Sequence, residues 1–120
     1  IGETLDERKS NSTFDILKQQ ITEGLENIPS DNITVAYEPI WAIGTGVTAS
    51  TSQVEEVHSF LSTEVLGKLY PENSIKVLYG GSVKPESSKD LYAQENIDGF
   101  LVGGASLDPE SFYQILVQAQ

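Results

Sequence analysis

The sequence predicts an α/β fold in which parallel strands alternate with helices. Short apolar runs recur along the chain, and each is followed by a turn and by a longer stretch with apolar residues at every third or fourth position. Strands that alternate with helices of this length form parallel βαβ units with right-handed crossovers. Three strand–helix units are visible, and a further helix precedes them with only a strand tail at Ile1-Gly2.

The first helix is predicted over residues 13–27, with Ser12 or Thr13 as its cap. Its apolar residues are spaced by three or four positions and are Phe14, Leu17, Ile21, Leu25 and Ile28. Pro29 and the polar residues after it break the chain. Residues 33–37 then predict a buried strand, because they are rich in β-branched and aromatic side chains.

The second unit follows a glycine-containing loop. Thr51 or Ser52 can cap a helix that runs through Leu69, and the apolar spacing along it is again three or four residues. Glu55 and Glu56, which fall in its predicted first turn, interact favourably with the helix dipole. Pro71 ends this helix, and residues 75–79 predict the next strand.

The third helix is predicted to begin near Pro85, since proline suits a first helical turn, and to bury Leu91 and Tyr92. Residues 99–102 predict the last strand. The final helix should start near residues 108–110. We expect it to bury the apolar residues Phe112, Ile115 and Leu116.

Composition excludes several classes of function. The 120 residues carry Asp+Glu 18 against Lys+Arg 7, a formal charge of −11, so partners such as nucleic acid and anionic membranes are disfavoured. With Cys 0 and His 1, disulfides and a transition-metal site are not expected. No apolar stretch is long enough for a bilayer and no signal peptide is evident, so we expect a cytoplasmic protein. Met is 0, which suggests a processed or truncated start.

Residues 36–46 read Ala-Tyr-Glu-Pro-Ile-Trp-Ala-Ile-Gly-Thr-Gly and carry the strongest functional signal. Glu38 ends an apolar run, and Pro39 stops strand pairing because it has no N–H to donate. An acid at the carboxyl end of a strand, next to a glycine-containing loop, is the arrangement expected of a general base that a mobile loop can cover. The alternative is a strand whose last polar residue simply meets water.

Glycines follow all three predicted strands. Gly44-Thr45-Gly46, Gly80-Gly81 and Gly103-Gly104 lie at loops where backbone N–H groups can approach an anion closely, because no Cβ intervenes. Glycine loops at the ends of consecutive strands are typical of phosphate sites in α/β barrels. Plain turns that lead from strand to helix are the alternative for each of them.

The stretch Tyr37–Gly46 resembles the catalytic-glutamate and lid signature of the triosephosphate isomerase family. Three other stretches agree with it in the same order, Ile1–Leu5, Tyr79–Val83 and Asp98–Leu107. The resemblance covers the chain from end to end but matches only the C-terminal half of the family's (β/α)8 TIM barrel. It therefore implies that residues 1–120 form a single partial domain, a half-barrel, because a full barrel needs about 200 residues or more.

The resemblance assigns roles residue by residue. Glu38 would be the catalytic base, and Gly44, Ser82, Gly103 and Gly104 would bind the substrate phosphate. Lid and hinge would be Pro39, Ile40, Trp41, Ala42, Ile43, Thr45, Gly46, Val47, Thr48 and Ala49. Tyr79, Ser82 and Glu3 would latch the lid, Glu3 by pairing with the Trp41 indole. Val47 departs from the family, which usually has Lys there, and this puts lid kinetics in question. No cofactor or metal is implied.

The same resemblance implies partners. A triose phosphate would be the substrate, and the complete enzyme would be a homodimer. A Lys, an Asn and a His that the family takes from the N-terminal half of its barrel are missing, so the isolated chain should have little activity. A self-assembling half-barrel with structural or weak anion-binding behaviour is the alternative, since cut parallel strands leave open edges and an uncovered face.

Four residues are expected to have structural roles or to lie away from the strand ends. His58 lies mid-helix and far from any strand end, so it should face solvent or pack between helices. Lys84 and Lys89 fall on a predicted helix and not at a strand mouth. An isolated Trp41 after a strand could equally be packing.

Overall fold

The chain forms a three-stranded parallel sheet covered by helices, in a computed structural model that describes residues 1–45 and 47–120. The strands are β1 (Thr34–Tyr37), β2 (Lys76–Tyr79) and β3 (Gly99–Phe100). The helices are α1 (Leu5–Lys9), α2 (Thr13–Gly24), α3 (Thr51–Phe60), α4 (Gly67–Leu69), α5 (Pro85–Tyr92) and α6 (Pro109–Gln118). Over the residues so described, every helix is too short or too polar to cross a bilayer.

Short helical segments join these elements. Three 3₁₀ turns lie at Ser30–Asn32, Ile40–Ala42 and Gly104–Leu107. A π-helical segment, Leu61–Leu66, connects α3 to α4, so residues 51–69 form one continuous helical stretch, as the spacing predicts.

The strand order is β1-β2-β3, and both pairings are parallel, which confirms the predicted topology. Val35 lies opposite Val77 and Tyr37 opposite Tyr79. The strand tail continues the sheet on the β1 side, because the Ile1 amino group donates to the Ala36 carbonyl at 2.9 Å. The Glu38 N–H in turn donates to the carbonyl of Ile1 at 2.8 Å. These two bonds fix Ile1 of the strand tail against Ala36 of β1 and against Glu38, which follows the strand.

One face of the sheet carries the core. Both long strands alternate in burial, so that Val35, Tyr37, Val77 and Tyr79 are buried. They pack against apolar residues of the helices, among them Leu17, Ile21, Val54, Val57, Leu61, Val65 and Leu91. On the other face, Thr34 and Lys76 are exposed. Parallel strands are normally covered on both faces, so this sheet has an uncovered side of the kind expected for a half-barrel.

Several element boundaries differ from prediction. Helix α2 ends at Gly24, three residues early, and β3 is only two residues long. Helix α3 is capped by Ser50, not by Thr51 or Ser52. The Ser50 hydroxyl accepts from the Gln53 N–H at 3.2 Å, and the Gln53 side chain accepts from the Ser50 N–H at 2.9 Å. The Ser-x-x-Gln spacing of residues 50–53 forms a capping box, so Ser50 caps the helix in place of Thr51 or Ser52.

Three predicted core residues are exposed. Tyr92 is 37% exposed, Phe112 48% and Leu116 57%, whereas Leu91 and Ile115 are buried as expected. Helix α6 packs on α5 and on the 3₁₀ turn Gly104–Leu107. Because these elements cover only part of an amphipathic helix, the remaining apolar residues of α6 meet solvent.

Candidate active site

Glu38 follows directly on the last residue of β1, and its side chain lies over Gly80 at the end of β2. A Cβ built on Gly80 would stand 2.5 Å from the Glu38 Cγ and 2.8 Å from its Oε1. The Gly80 N–H donates to the Tyr37 carbonyl at 2.8 Å, which fixes the two strand ends against each other. Glycine is therefore required at position 80 to leave room for the carboxylate.

A cavity of about 480 Å³ opens at this end of the sheet, and we call it the site cavity. It is lined by Glu38 together with residues of the loops after all three strands, among them Gly44, Gly80, Ser82, Lys84, Gly103 and Gly104. The carboxyl ends of parallel strands meet at one edge of a sheet, where α/β folds carry their ligand sites. The structure thus brings the sequence-predicted acid and the sequence-predicted glycine loops into one place.

Unlike Gly80, three other glycines that line the site cavity are not required by crowding. A Cβ on Gly44, Gly103 or Gly104 would meet no other atom within 4 Å. Gly44 has a φ of +65°, a conformation that L side chains rarely adopt. Gly103 and Gly104 line the cavity and are exposed, so without side chains their backbone is accessible to a ligand there.

The predicted lid segment, residues 39–49, contributes Ile43 and Gly44 to the lining of the site cavity. It begins with the 3₁₀ turn Ile40–Ala42, in which Ala42 is fully buried. The Thr45 hydroxyl donates to the Trp41 carbonyl at 2.7 Å and accepts from the Val47 N–H at 3.2 Å. Ile40, Ile43 and Val47 are each about half exposed. Gly46, also assigned to the lid, lies outside the described residues.

Glu3 joins the lid segment to the strand tail. Its side chain is fully buried, and its Oε1 accepts from the Trp41 indole N–H and from the Tyr37 hydroxyl, both at 3.1 Å. Arg8 pairs with the same oxygen at 3.6 Å and lies 6.0 Å from the centre of the Trp41 ring. Burial, and then the Glu3 carboxylate, raise the pKa of Tyr37 far above its usual range. Trp41 is therefore held by a specific partner in addition to packing.

The other two latch candidates face a second space, of about 430 Å³, which we call the hinge cavity. Tyr79 and Ser82 line it opposite Thr48 and Ala49 of the lid segment, and Lys84 lines it as well. Within residues 1–45 and 47–120, neither the Tyr79 nor the Ser82 hydroxyl bonds to the lid segment. Burial raises the pKa of Tyr79, whose hydroxyl packs so closely on Gly81 that a Cβ there would overlap it.

Lys84 lies outside the helix in which it was predicted. It lies at the mouth of β2, not within a helix, because α5 begins one residue later at Pro85. Its backbone is extended, with φ −134° and ψ 159°, and the residue lines both cavities. The proline itself was the available signal, since a residue that precedes proline is pushed out of helical geometry. Lys89 lies within α5, as predicted.

His58 is likewise closer to the strand ends than predicted. It is fully buried, with its ring 5.9 Å from that of Tyr37 and 6.3 Å from that of Tyr79, the last residues of β1 and β2. Its Nδ1 lies 3.1 Å from the Asn96 carbonyl, and its Nε2 is buried with no hydrogen-bond partner in the described chain. Burial lowers the pKa of His58, so the ring is neutral and structural. Of the two alternatives, packing is right and solvent exposure is wrong.

The arrangement can support proton transfer beside a bound anion. Glu38 offers a carboxylate base at the floor of the site cavity, and the glycine loops offer backbone N–H groups within the same space. Glu38 and Lys84 are the ionisable side chains that line this cavity in the described part of the chain.

Comparison with known proteins agrees with this geometry. The family model for triosephosphate isomerase matches residues 1–119. A triosephosphate isomerase of Geotalea uraniireducens is 52% identical over 122 residues, a match that covers 97% of this chain and 48% of the relative. One of Thermodesulfovibrio yellowstonii is 50% identical over 119 residues, with the same coverage.

A crystal structure of the triosephosphate isomerase from Bartonella henselae superimposes on 98% of the chain with a TM-score of 0.88 and 37% identity. The superposition uses 48% of that structure, so the three parallel strands and their helices correspond to part of a TIM barrel. The chain spans about half the length of the relatives it matches. It belongs to the triosephosphate isomerase family.

Proposed function

We propose that this chain is the C-terminal half of a triosephosphate isomerase barrel. The complete protein would interconvert dihydroxyacetone phosphate and glyceraldehyde 3-phosphate in glycolysis and gluconeogenesis. The observation that carries the proposal is the meeting of Glu38 with the glycine loops in the site cavity. The family is the standard example of a glutamate base beneath a closing loop.

In this mechanism the Glu38 carboxylate accepts a proton from the substrate carbon next to the carbonyl. The electrons of the broken C–H bond form an enediolate, and Glu38 returns the proton to the neighbouring carbon. The hydroxyl proton of the one carbon would pass to the former carbonyl oxygen of the other through groups outside this chain. The two sugar phosphates are isomers, so no redox partner or cofactor is needed. Because charge develops on the substrate oxygens, donors outside this chain must stabilise it, and each such donor contributes about 10²–10³-fold in rate.

The substrate phosphate would be held by backbone N–H groups at Gly44, Ser82, Gly103 and Gly104. The accessible backbone at Gly103 and Gly104 supports this assignment. The lid segment would close over the phosphate, with Glu3 holding the Trp41 indole and with Tyr79 and Ser82 as latches. The hinge cavity supplies the space into which Thr48 and Ala49 could move.

The N-terminal half of the barrel is the partner that this proposal requires, and the complete enzyme would be a homodimer. The uncovered sheet face and the exposed apolar residues of α6 support the need for a covering half. The isolated chain should have little turnover. Mixing it with a separately made N-terminal half should restore isomerisation, and no recovery at any ratio counts against the proposal.

Substitution of Glu38 tests the chemistry directly. In the full-length protein, Glu38→Gln keeps the shape of the side chain and removes the base, so kcat should fall by about 10²–10⁴-fold. Glu26→Gln is the matched control, because Glu26 is an exposed carboxylate distant from the site cavity. Equal activity of the two variants would reject Glu38 as the base.

A self-assembling half-barrel is the second candidate, favoured by the same uncovered surfaces. Phe112, Tyr113, Leu116 and Val117 of α6 are each at least 45% exposed. Two copies of the chain could cover one another's exposed faces. Sedimentation of the 120-residue chain separates the two candidates. A folded dimer that binds phosphate weakly supports self-assembly, whereas a disordered monomer indicates that the chain is only a fragment of the barrel.

A further inference from the structure

The site cavity has an electrostatic problem in this chain. A triose phosphate carries a charge of about −1.5 to −2 near neutral pH, as phosphate monoesters do. The chain itself has a formal charge of −11, and Glu38 adds a carboxylate at the cavity floor. The lid segment contains no charged residue, since Val47 stands where the family usually has Lys. The Lys that the family takes from its N-terminal half lies outside this chain, so within this half an anionic substrate meets repulsion unless a cation of the chain itself offsets it.

Lys84 is the basic residue that lines the site cavity in the described part of the chain. Its position is fixed by its backbone. The Lys84 N–H donates to the Ser87 hydroxyl at 3.2 Å, and its carbonyl accepts from the Ser88 N–H at 3.0 Å. Pro85 follows as the first residue of α5. The side chain therefore starts from an anchored point on the cavity rim.

The charge of Lys84 is not engaged elsewhere among residues 1–45 and 47–120. Arg8, Lys68 and Lys76 each form an ion pair, with Glu3, Glu64 and Asp98 respectively. No ion pair of the described residues includes Lys84, although Glu86 shares the hinge cavity with it. A lysine ammonium is a mobile point charge with three donors and suits phosphate oxygens.

We propose that Lys84 is a binding residue for the substrate phosphate. It supplies a positive charge at the rim between the site cavity and the hinge cavity, where a closing lid segment would pass. This inference rests on the proposed function for the identity of the substrate. Its chemistry, a lysine that attracts a phosphate dianion, can be measured separately from isomerisation.

The test uses three variants of the full-length protein, Lys84→Gln, Lys84→Arg and Lys89→Gln. Lys89 is the matched control because it is an exposed lysine of α5 that lines neither cavity. At low ionic strength, Lys84→Gln should raise KM for triose phosphate and the Kd of inorganic phosphate about two- to fivefold, by more than any change in kcat. Lys84→Arg should restore both values, and Lys89→Gln should leave them unchanged.

Salt provides a second readout that a merely structural role would not move. The difference between the unmodified protein and Lys84→Gln should shrink as ionic strength rises toward 1 M, where the Debye length is only about 3 Å. Thermal midpoints of the variants check that all of them fold. Equal shifts in Lys84→Gln and Lys89→Gln, or a difference that salt leaves untouched, would overturn the inference.

The two proposals fail in distinguishable ways. If the unmodified full-length protein binds phosphate but does not isomerise triose phosphates, the proposed function is wrong, and the phosphate titration still decides the role of Lys84. If it isomerises and the three variants have equal KM and Kd, only the Lys84 inference is wrong. Absence of both activity and phosphate binding overturns both.

Discussion

The side chain of Glu38 occupies the space that a methyl group would need at Gly80. A Cβ at that position would stand 2.5 Å from the Glu38 Cγ, well inside van der Waals contact. The two residues directly follow neighbouring strands, so the glycine after β2 sets where the carboxylate after β1 can lie.

Gly80→Ala should therefore damage the site through geometry. We expect the added methyl group to displace the Glu38 carboxylate and to lower kcat of the full-length protein about 10²-fold, since a shift of about 1 Å is costly. Steady-state kinetics and a thermal melt measure the effect. Gly24→Ala is the control, because a Cβ there meets nothing within 4 Å, and it should be neutral or slightly stabilising. Full activity of Gly80→Ala would show that the carboxylate position is not critical.

A double-mutant cycle should reveal coupling between Glu3 and Trp41. Trp41→Phe removes the indole N–H that Glu3 accepts at 3.1 Å, and Glu3→Gln removes the charge that also attracts Arg8. We expect a coupling free energy of about 0.5–3 kcal/mol from urea unfolding. Trp41 is the single tryptophan, so its fluorescence should also shift in Glu3→Gln. Because Gln at position 3 can still accept from the indole N–H, the cycle measures what the carboxylate charge adds to this bond, and strict additivity would contradict such a contribution.

His58 should make the chain less stable in acid. Burial lowers its pKa in the folded state below the ordinary 6.5, so between these two values the unfolded chain binds a proton that the folded chain does not. Above about pH 6.5 His58 contributes no pH dependence. Below it, the free energy of unfolding should fall by at most about 1.4 kcal/mol per pH unit.

Denaturation of the unmodified protein and of His58→Gln between pH 5 and 8 measures this effect. Glutamine cannot titrate and can still donate to the Asn96 carbonyl. The part of the acid slope due to His58 should therefore disappear in the variant. An identical slope in both proteins would mean that His58 titrates alike in the folded and unfolded chains.

The exposed face of α6 should become buried in the complete barrel. Leu116→Ala should change the stability of the 120-residue chain by no more than about 0.5 kcal/mol, because Leu116 is 57% exposed. In the full-length protein the same substitution should cost about 2–5 kcal/mol if a missing element covers this side chain. Ile115→Ala is the control, since Ile115 is 3% exposed and should be costly at either length. Equally small effects of Leu116→Ala on the stability of the 120-residue chain and of the full-length protein would argue against the half-barrel.

The sequence predicts local structure well where the signal is local. The strands at 33–37 and 75–79 follow from apolar runs. Helix α6 starts near residues 108–110 as predicted, and the Asp108 side chain caps it by accepting from the Ser111 N–H at 2.8 Å. Periodicity wrongly predicts that Phe112 and Leu116 are buried. An amphipathic pattern shows which side chains are apolar, but not whether this chain supplies the residues that would bury them.

The candidate site was predictable in part for a similar reason. Strand ends and glycines placed Glu38, Ser82 and Gly103 at one edge of the sheet, since parallel strands bring their carboxyl ends together. Lys84 was misplaced although Pro85, the first residue of α5, marks the start of the helix in the sequence. His58 was misplaced because its position depends on how α3 packs across the strands, which spacing along the chain does not encode.

Isotope exchange in the full-length protein tests the central claim most directly. In D₂O, isomerisation through Glu38 should incorporate deuterium at the carbon next to the carbonyl, because the abstracted proton exchanges with solvent before it is returned. We predict incorporation in the unmodified protein and a rate about 10²–10⁴-fold lower in Glu38→Gln, with phosphate affinity retained. Incorporation at an equal rate in Glu38→Gln would contradict the account.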